Sequence, residues 1–282
     1  MSILTFLARR FIAGEKIEDA VRVIKNLNQN GMTATLDILG ENVKSEQEAT
    51  RKADNYIQAL EMIDREKLNS HASLKLTQMG MDVSDGFCYD NVSRIFERAS
   101  SLNNFVRVDM EGSDYTGRTL DLVYRWHERF PKMGTVIQAM LFRSLEDIKE
   151  LNRRKIRVRL CKGAYKESKQ IAYRDRRHIN ENFVTLTKLL LKEGDYPAIA
   201  THDEKLIEAT KEFAQKEGIS KDRYEFQMLY GIRRGLQSRL AQEGYNVRVY
   251  VPYGTHWLPY YLRRLREKRE NLLFFISNFF RD

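Results

Sequence analysis

Cysteine and proline are both scarce: 282 residues carry two Cys, Cys88 and Cys161, and four Pro. Two thiols make no disulfide scaffold, and without a secretory signal they suit a reducing cytoplasm. They cannot build a thiolate zinc site alone. The five histidines, His71, His127, His178, His202 and His256, stand at neither HxxxH nor HExxH spacing, so no metal is expected. No apolar run reaches the roughly 20 residues of a membrane span. Neither a Gly/Ser tract nor a Pro-rich stretch marks a disordered linker. The glycine fingerprints GxGxxG and GxxxxGKS are missing, as are a Ser-His-Asp order and paired acids at hydrolase spacing.

What is present is a basic chain, net charge +9 and pI near 9.4, with 42% hydrophobic residues. Its positives are scattered among acids and no DNA or RNA motif occurs, so nucleic acid is not an expected partner. An anionic ligand or an acidic membrane surface remains open.

Short apolar or β-branched runs recur at Thr33–Leu39, Ala72–Thr77, Phe105–Glu111, Thr135–Met140, Arg157–Lys162, Ala198–His202, Tyr224–Leu229 and Val247–Val251. Helical stretches lie between them, at Glu46–Arg65, Asp90–Ser100, Thr119–Arg129, Leu145–Arg153, Ile171–Lys192, Glu204–Lys216 and Ile232–Gln242. Ser45 with Glu48 reads as a capping box and Asp203 as an N-cap, with Gly194 and Gly218 as stops. Strand followed by helix, eight times, predicts a parallel α/β sheet closed into a (βα)8 TIM barrel, with a doubly wound sheet as the alternative. The alternation has no break, so a single domain over 1–282 is expected, with an N-terminal helix within about 1–30. Ile17, Ala20, Val21, Ile24 and Leu27 give that helix one apolar face, which predicts packing outside the barrel.

Chemistry in such barrels sits at the C-terminal strand ends. These ends are polar here. Lys75, flanked by leucines, points inward if its neighbours point outward, or else snorkels at an edge. Asp109 and Glu111 are inner carboxylates or caps of the next helix. Gln138, amid apolar residues, needs a partner from a ligand or a neighbouring strand. Arg159 and Lys162 beside Gly163 suit a phosphate-bearing cofactor, and the helix start after Thr201 and His202 can meet a pyrophosphate. His202, as a lone histidine, reads more readily as a structural residue than as a ligand. Tyr250 aims its hydroxyl at a ligand or at another strand. In the last helical stretch Tyr260, Arg263, Arg264 and Glu267 fall at i, i+3, i+4 and i+7 on one face, where two guanidiniums make a fork for a small carboxylate; a solvated basic helix is the plainer alternative.

With these segments assembled, the chain resembles the proline dehydrogenases. The resemblance rests on Tyr-x-x-Arg-Arg-x-x-Glu at Tyr260, Arg263, Arg264 and Glu267, and on Arg159-Leu160-Cys161-Lys162-Gly163-Ala164-Tyr165. Ala200-Thr201-His202 and Glu225-Phe226-Gln227-Met228-Leu229-Tyr230-Gly231 extend it. It implies a distorted barrel with the final helix over the mouth, and FAD-dependent oxidation of L-proline to 1-pyrroline-5-carboxylate. On the same ground Lys75, Asp109, Tyr250, Arg263 and Arg264 would be catalytic, with both arginines on the proline carboxylate. Tyr165, Leu229, Tyr260 and Glu267 would complete the substrate pocket. Gln138, Arg159, Lys162, Gly163, Thr201 and His202 would hold FAD, Arg159 near the reactive flavin nitrogen. The chain departs from larger bifunctional members at Lys166, where those often carry Trp, and in a shorter segment between Tyr250 and Tyr260. A second, aldehyde-oxidising domain is not expected, so a separate pyrroline-5-carboxylate dehydrogenase would act downstream. Electrons would pass to a quinone, which points to a cytoplasmic protein with peripheral contact on the inner face of the membrane. Ile3–Leu7 beside Arg9 and Arg10, or Leu272–Ile276 with Phe279 and Phe280 beside Arg281, would supply that contact unless both segments are buried. A flavin barrel for another substrate and a basic binding protein are the competing readings.

Overall fold

The structure, a computed structural model, describes residues 10–258 except residue 41. Eight strands close in chain order into one barrel, each parallel to its neighbours: β1 Thr33–Ile38, β2 Ser70–Leu74, β3 Val106–Val108, β4 Met133–Gln138, β5 Arg157–Cys161, β6 Ala198–Ala200, β7 Glu225–Leu229 and β8 Asn246–Tyr253. The helices are α1 Ile17–Gln29, α2 Glu46–Arg65, α3 Asp85–Ser101, α4 Ser113–Arg129, α5 Ser144–Arg153, α6 Arg176–Glu193, α7 Glu204–Lys216 and α8 Arg234–Gln242. The barrel expected from the alternation is therefore present, and the doubly wound alternative is not. Helix α1 buries Ala20, Ile24 and Leu27 and packs on β8 and β1. That is the outer groove which, in a regular βα repeat, belongs to the helix after the last strand.

Caps set several element limits. Ser45 Oγ accepts from Glu48 N–H at 3.2 Å and opens α2 as an N-cap, the Ser45 half of the expected capping box, and Asp203 accepts from Lys205 N–H at 3.2 Å to open α7 as the sequence predicts. Asp175 accepts from Arg177 and His178 N–H, so α6 begins at Arg176 rather than at Ile171. Ser84 caps α3 through Phe87 N–H, which starts it ahead of Asp90. Strands β2 and β3 are shorter than the apolar runs suggest. The Glu111 carboxylate accepts from both the amide and the hydroxyl of Thr77, at 3.0 and 2.6 Å, and draws both chains off the ladder. Leu76–Met79 then forms a short 3-10 turn.

The outer faces of the strands are apolar and packed on the helices: Ala72 and Leu74, Val106 and Val108, Val158 and Leu160, Val247, Val249 and Val251 are all buried. The inner positions are unusually polar for a barrel of this kind, whose centre is commonly filled by branched apolar side chains. Asp37, Ser73, Arg107, Arg159, Glu225, Gln227 and Arg248 all lie inside and buried. Gly134 clears space for one of them, since a Cβ there would collide with the Arg157 carbonyl and lie 3.0 Å from Arg107 Nη1. That guanidinium donates to Thr135 O at 2.9 Å.

At the lower end of the barrel, desolvation and then the charges of Arg248, Arg107, Arg157 and Arg159 push the His71 imidazole well below its ordinary pKa. The unfolded chain takes up this proton near pH 6.5 while the folded chain does not. Stability is therefore expected to fall as pH drops from about 6.5 towards the depressed value, by at most about 1.4 kcal/mol per pH unit. His71→Gln should flatten that limb, read from urea midpoints at several pH values. An unchanged slope would assign it to another group, such as His127, whose pKa is also lowered by burial and by Arg154.

Candidate active site

The C-terminal mouth of the barrel holds a cluster of two acids and two bases. Asp37 on β1 and Ser73 on β2 are register partners, and Lys75 follows β2 by one residue. Asp109 follows β3, its amide donating to Leu74 O at 2.8 Å. Arg159 is in β5 and Tyr250 in β8. Lys75 Nζ donates to Asp37 Oδ1 at 3.0 Å and stands 3.9 Å from Asp109 Oδ2. Asp109 Oδ1 accepts from Ser73 Oγ at 2.5 Å and from Arg159 Nη1 at 2.7 Å, and its Oδ2 accepts from the Tyr250 hydroxyl at 2.7 Å. Lys75, placed between leucines in sequence, thus points inward.

The two carboxylates differ in character. Burial would raise the Asp109 pKa, but the charges of Arg159 and Lys75 and the bonds from Ser73 and Tyr250 outweigh it and hold the group below its ordinary value. At Asp37 burial wins over Lys75, and nearby Asp109 adds to it, so that pKa is raised. Burial and both carboxylates push the Tyr250 phenol well up, which keeps it a hydrogen-bond donor.

Among the described residues, two buried polar atoms in this cluster have no hydrogen-bond partner: Asp37 Oδ2 and Arg159 Nη2. Arg159 is held on its other sides, with Nε donating to Gln227 Oε1 at 2.5 Å and Nη1 on Asp109. A buried guanidinium nitrogen left open at a barrel mouth is a ready donor for a bound acceptor.

The remaining predicted residues lie on the side of the mouth formed by β4 to β7. Gln138 ends β4 and donates from Nε2 to Glu111 O at 2.9 Å, so a neighbouring strand end does supply a partner. Lys162 Nζ lies 2.9 Å from Asp203 Oδ2, where α7 begins, with Arg176 also near that carboxylate. Gly163 has φ +109, a value that suits glycine, and a Cβ there would collide with Met140 Sδ. Tyr165 packs on Met140, Leu141 and Ala172. Thr201 Oγ1 accepts from Asp203 N–H at 3.1 Å. His202 Nε2 accepts from Leu229 N–H at 2.9 Å, which assigns it a structural bond and the Nδ1-protonated form. Tyr260, Arg263, Arg264 and Glu267 lie outside the described residues, as do both proposed membrane-contact segments. Among the described residues no helix is long and apolar enough to cross a membrane.

Asp37 was not singled out from sequence, although its signal resembles that of Lys75: a charged residue between Leu36 and Ile38 inside a strand. Tyr56 was missed for a different reason. It belongs to the buried face of α2, and only the fold brings its hydroxyl to 3.4 Å from Asp37 Oδ1 and 3.3 Å from Gln78 Oε1.

Comparison with known proteins agrees with the barrel. Residues 20–276 match the family described as Proline dehydrogenase. The chain is 44% identical over 270 residues to Proline dehydrogenase 1 of Bacillus subtilis, covering 96% of this chain and 89% of that one. It is 38% identical over 276 residues to a proline dehydrogenase of Deinococcus radiodurans, covering 96% and 89%. Among solved structures, proline utilization A from Bdellovibrio bacteriovorus, inactivated by N-propargylglycine, is similar with a TM-score of 0.89 at 29% identity. The match covers 95% of this chain and 33% of that much longer one.

Proposed function

The chain belongs to the proline dehydrogenase family, and from that premise we propose that it oxidises L-proline to 1-pyrroline-5-carboxylate with FAD as its redox group. The observation that carries the cofactor reading is Arg159, buried, fixed on two sides and left with an open Nη2 at the mouth. The residues present fit a flavin: Arg159 would face its ring, while Lys162, Gly163 and the start of α7 would meet its phosphates. Gln138, Thr201 and His202 would complete the contact through the strand ends they occupy.

A bound FAD would supply the acceptor for the hydride that leaves the carbon beside the proline nitrogen. The protein orients the ring and sets the charge around it. Lys75 is placed to disfavour a second cation in the pocket, and so to favour the neutral amine whose lone pair the oxidation needs. Asp109 holds Arg159 and Tyr250 in place, and Tyr250 and Leu229 wall the pocket beside them. Tyr165, Tyr260 and Glu267 would complete that wall.

Arg263 and Arg264 would bind the substrate carboxylate and hold the reacting carbon against the flavin. Replacing either by Ala is expected to raise KM for proline roughly tenfold or more with flavin retained, since one charged hydrogen bond contributes about 1.5–3 kcal/mol. Unchanged kinetics in both variants would leave the two arginines with no part in substrate binding.

A single domain over 1–282, electron transfer to quinone, a separate downstream dehydrogenase and peripheral membrane contact belong to the same proposal. Flotation with anionic vesicles, against truncation of either terminal segment, tests the last of these; no flotation in either redox state would refute it. The function itself is tested by the visible spectrum of the purified protein and a dye-linked assay on proline and hydroxyproline. A colourless, inactive protein would overturn it, and a preference for hydroxyproline would change the substrate.

A further inference from the structure

Below Arg159, the barrel interior carries a continuous hydrogen-bonded column whose other members have no assigned part in the chemistry. Glu225, Gln227 and Leu229 alternate along β7, so all three share its inner face. Gln227 is the register partner of Arg248 on β8 and of Ala200 on β6. Arg248 Nη1 donates to Ala34 O at 2.7 Å, and its Nε donates to both Glu225 oxygens at 3.0 Å. Gln227 Nε2 donates to Glu225 Oε1 at 2.5 Å, and Gln227 Oε1 accepts from Arg159 Nε at 2.5 Å. All four side chains are buried.

The chemistry of the donors leaves one arrangement. An ionised Glu225 only accepts, so the amide of Gln227 must turn its NH2 downward. Its carbonyl then faces up, towards a guanidinium that only donates. Burial would raise the Glu225 pKa, yet the charges and bonds around it, Arg248 first, keep it below the ordinary carboxylate value and hence ionised. A glutamine between two charges of opposite sign passes on orientation without adding charge beside the guanidinium. Arg159 is thereby gripped at Nε from below and at Nη1 by Asp109, which directs the open Nη2.

We propose that Gln227 is a positioning residue for Arg159, oriented by Glu225 from the layer beneath, and that this column sets how the Arg159 charge meets the bound redox group. The proposal rests on the FAD reading above. Its test is a double-mutant cycle between Gln227→Met and Arg159→Met, read as turnover, KM for proline and the reduction potential of the bound flavin. In the parent protein Gln227→Met should lower turnover roughly tenfold or more, as expected when a guiding group shifts a charge by a fraction of an ångström to an ångström. KM should change far less, and the potential should fall.

In the Arg159→Met background the same change should alter turnover by no more than about twofold, the limit of ordinary additivity. Equal effects in both backgrounds would overturn the proposal, because a merely structural residue acts regardless of Arg159. If Gln227→Met does not fold, the double variant Glu225→Gln with Gln227→Glu keeps the contacts from residue 225 through 227 to Arg159 and leaves Arg248 Nε one of its two acceptors. It moves the carboxylate against Arg159 and should lower the flavin potential; an unmoved potential would also overturn the proposal. A parent protein that binds no flavin sinks the FAD reading itself, whereas bound flavin with additive effects sinks the positioning role alone.

Discussion

Arg159→Met is expected to lower turnover on proline by roughly a hundredfold or more, the usual consequence of removing one preorganised donor from a site of developing charge. The residue is buried, with Nε on Gln227, Nη1 on Asp109 and Nη2 without a hydrogen-bond partner among the described residues. Methionine fills similar space but contributes neither donors nor charge. If FAD is the redox group, as proposed above, its reduced form would be an anion, and loss of a nearby cation should also shift its potential downward. Arg159→Lys should fall between the two, keeping the charge and losing the planar fork that holds Gln227 and Asp109 together. Redox titration of the bound flavin, with stopped-flow reduction by proline, measures both effects. Turnover within about threefold of the parent and an unshifted potential would remove Arg159 from the flavin.

Asp109→Ala is expected to be the most destabilising single change in the mouth. The carboxylate accepts from Ser73, Arg159 and Tyr250 and stands near Lys75. Its removal leaves two buried cations facing Asp37, and breaking a buried ion pair from one side costs about 3–5 kcal/mol. Urea unfolding should show this loss. Asp109→Asn should lose less, because an amide oxygen still accepts from Arg159.

The pH profile separates charge from shape. The Asp109 pKa lies below its ordinary value, so its stabilisation is complete above the unfolded pKa of about 3.9 and is lost as pH falls through the folded value. Asp109→Asn should flatten this acid limb. A loss under about 1 kcal/mol in the alanine variant, set against that 3–5 kcal/mol expectation, would show that Asp37 alone balances both cations.

The barrel was legible before any coordinates because its causes are local. Eight short apolar runs alternate with amphipathic helices, and caps such as Ser45 and Asp203 lie within three residues of what they cap. Lys75 and Asp109 could be picked out by the same means, as charges set in or just after apolar strands. Strand limits were less legible. Thr77 and Thr201 carry β propensity, but Thr77 is drawn off the ladder by Glu111, 34 residues away, and Thr201 turns inward on Asp203.

Partnership lay furthest from the sequence. Nothing near Arg159 in the chain indicates that Gln227, 68 residues on, grips one side of it and Asp109, 50 residues back, the other. Nor does it show that Tyr250 reaches Asp109 across 141 residues. Side-chain period along a strand says which residues face inward, but closure of the barrel sets which inward residues meet, because register and curvature are properties of all eight strands together. The residue types needed for the site are thus written along the chain, while the hydrogen-bond partners that leave Arg159 Nη2 and Asp37 Oδ2 open exist only once β1 and β8 pair and the ring is closed.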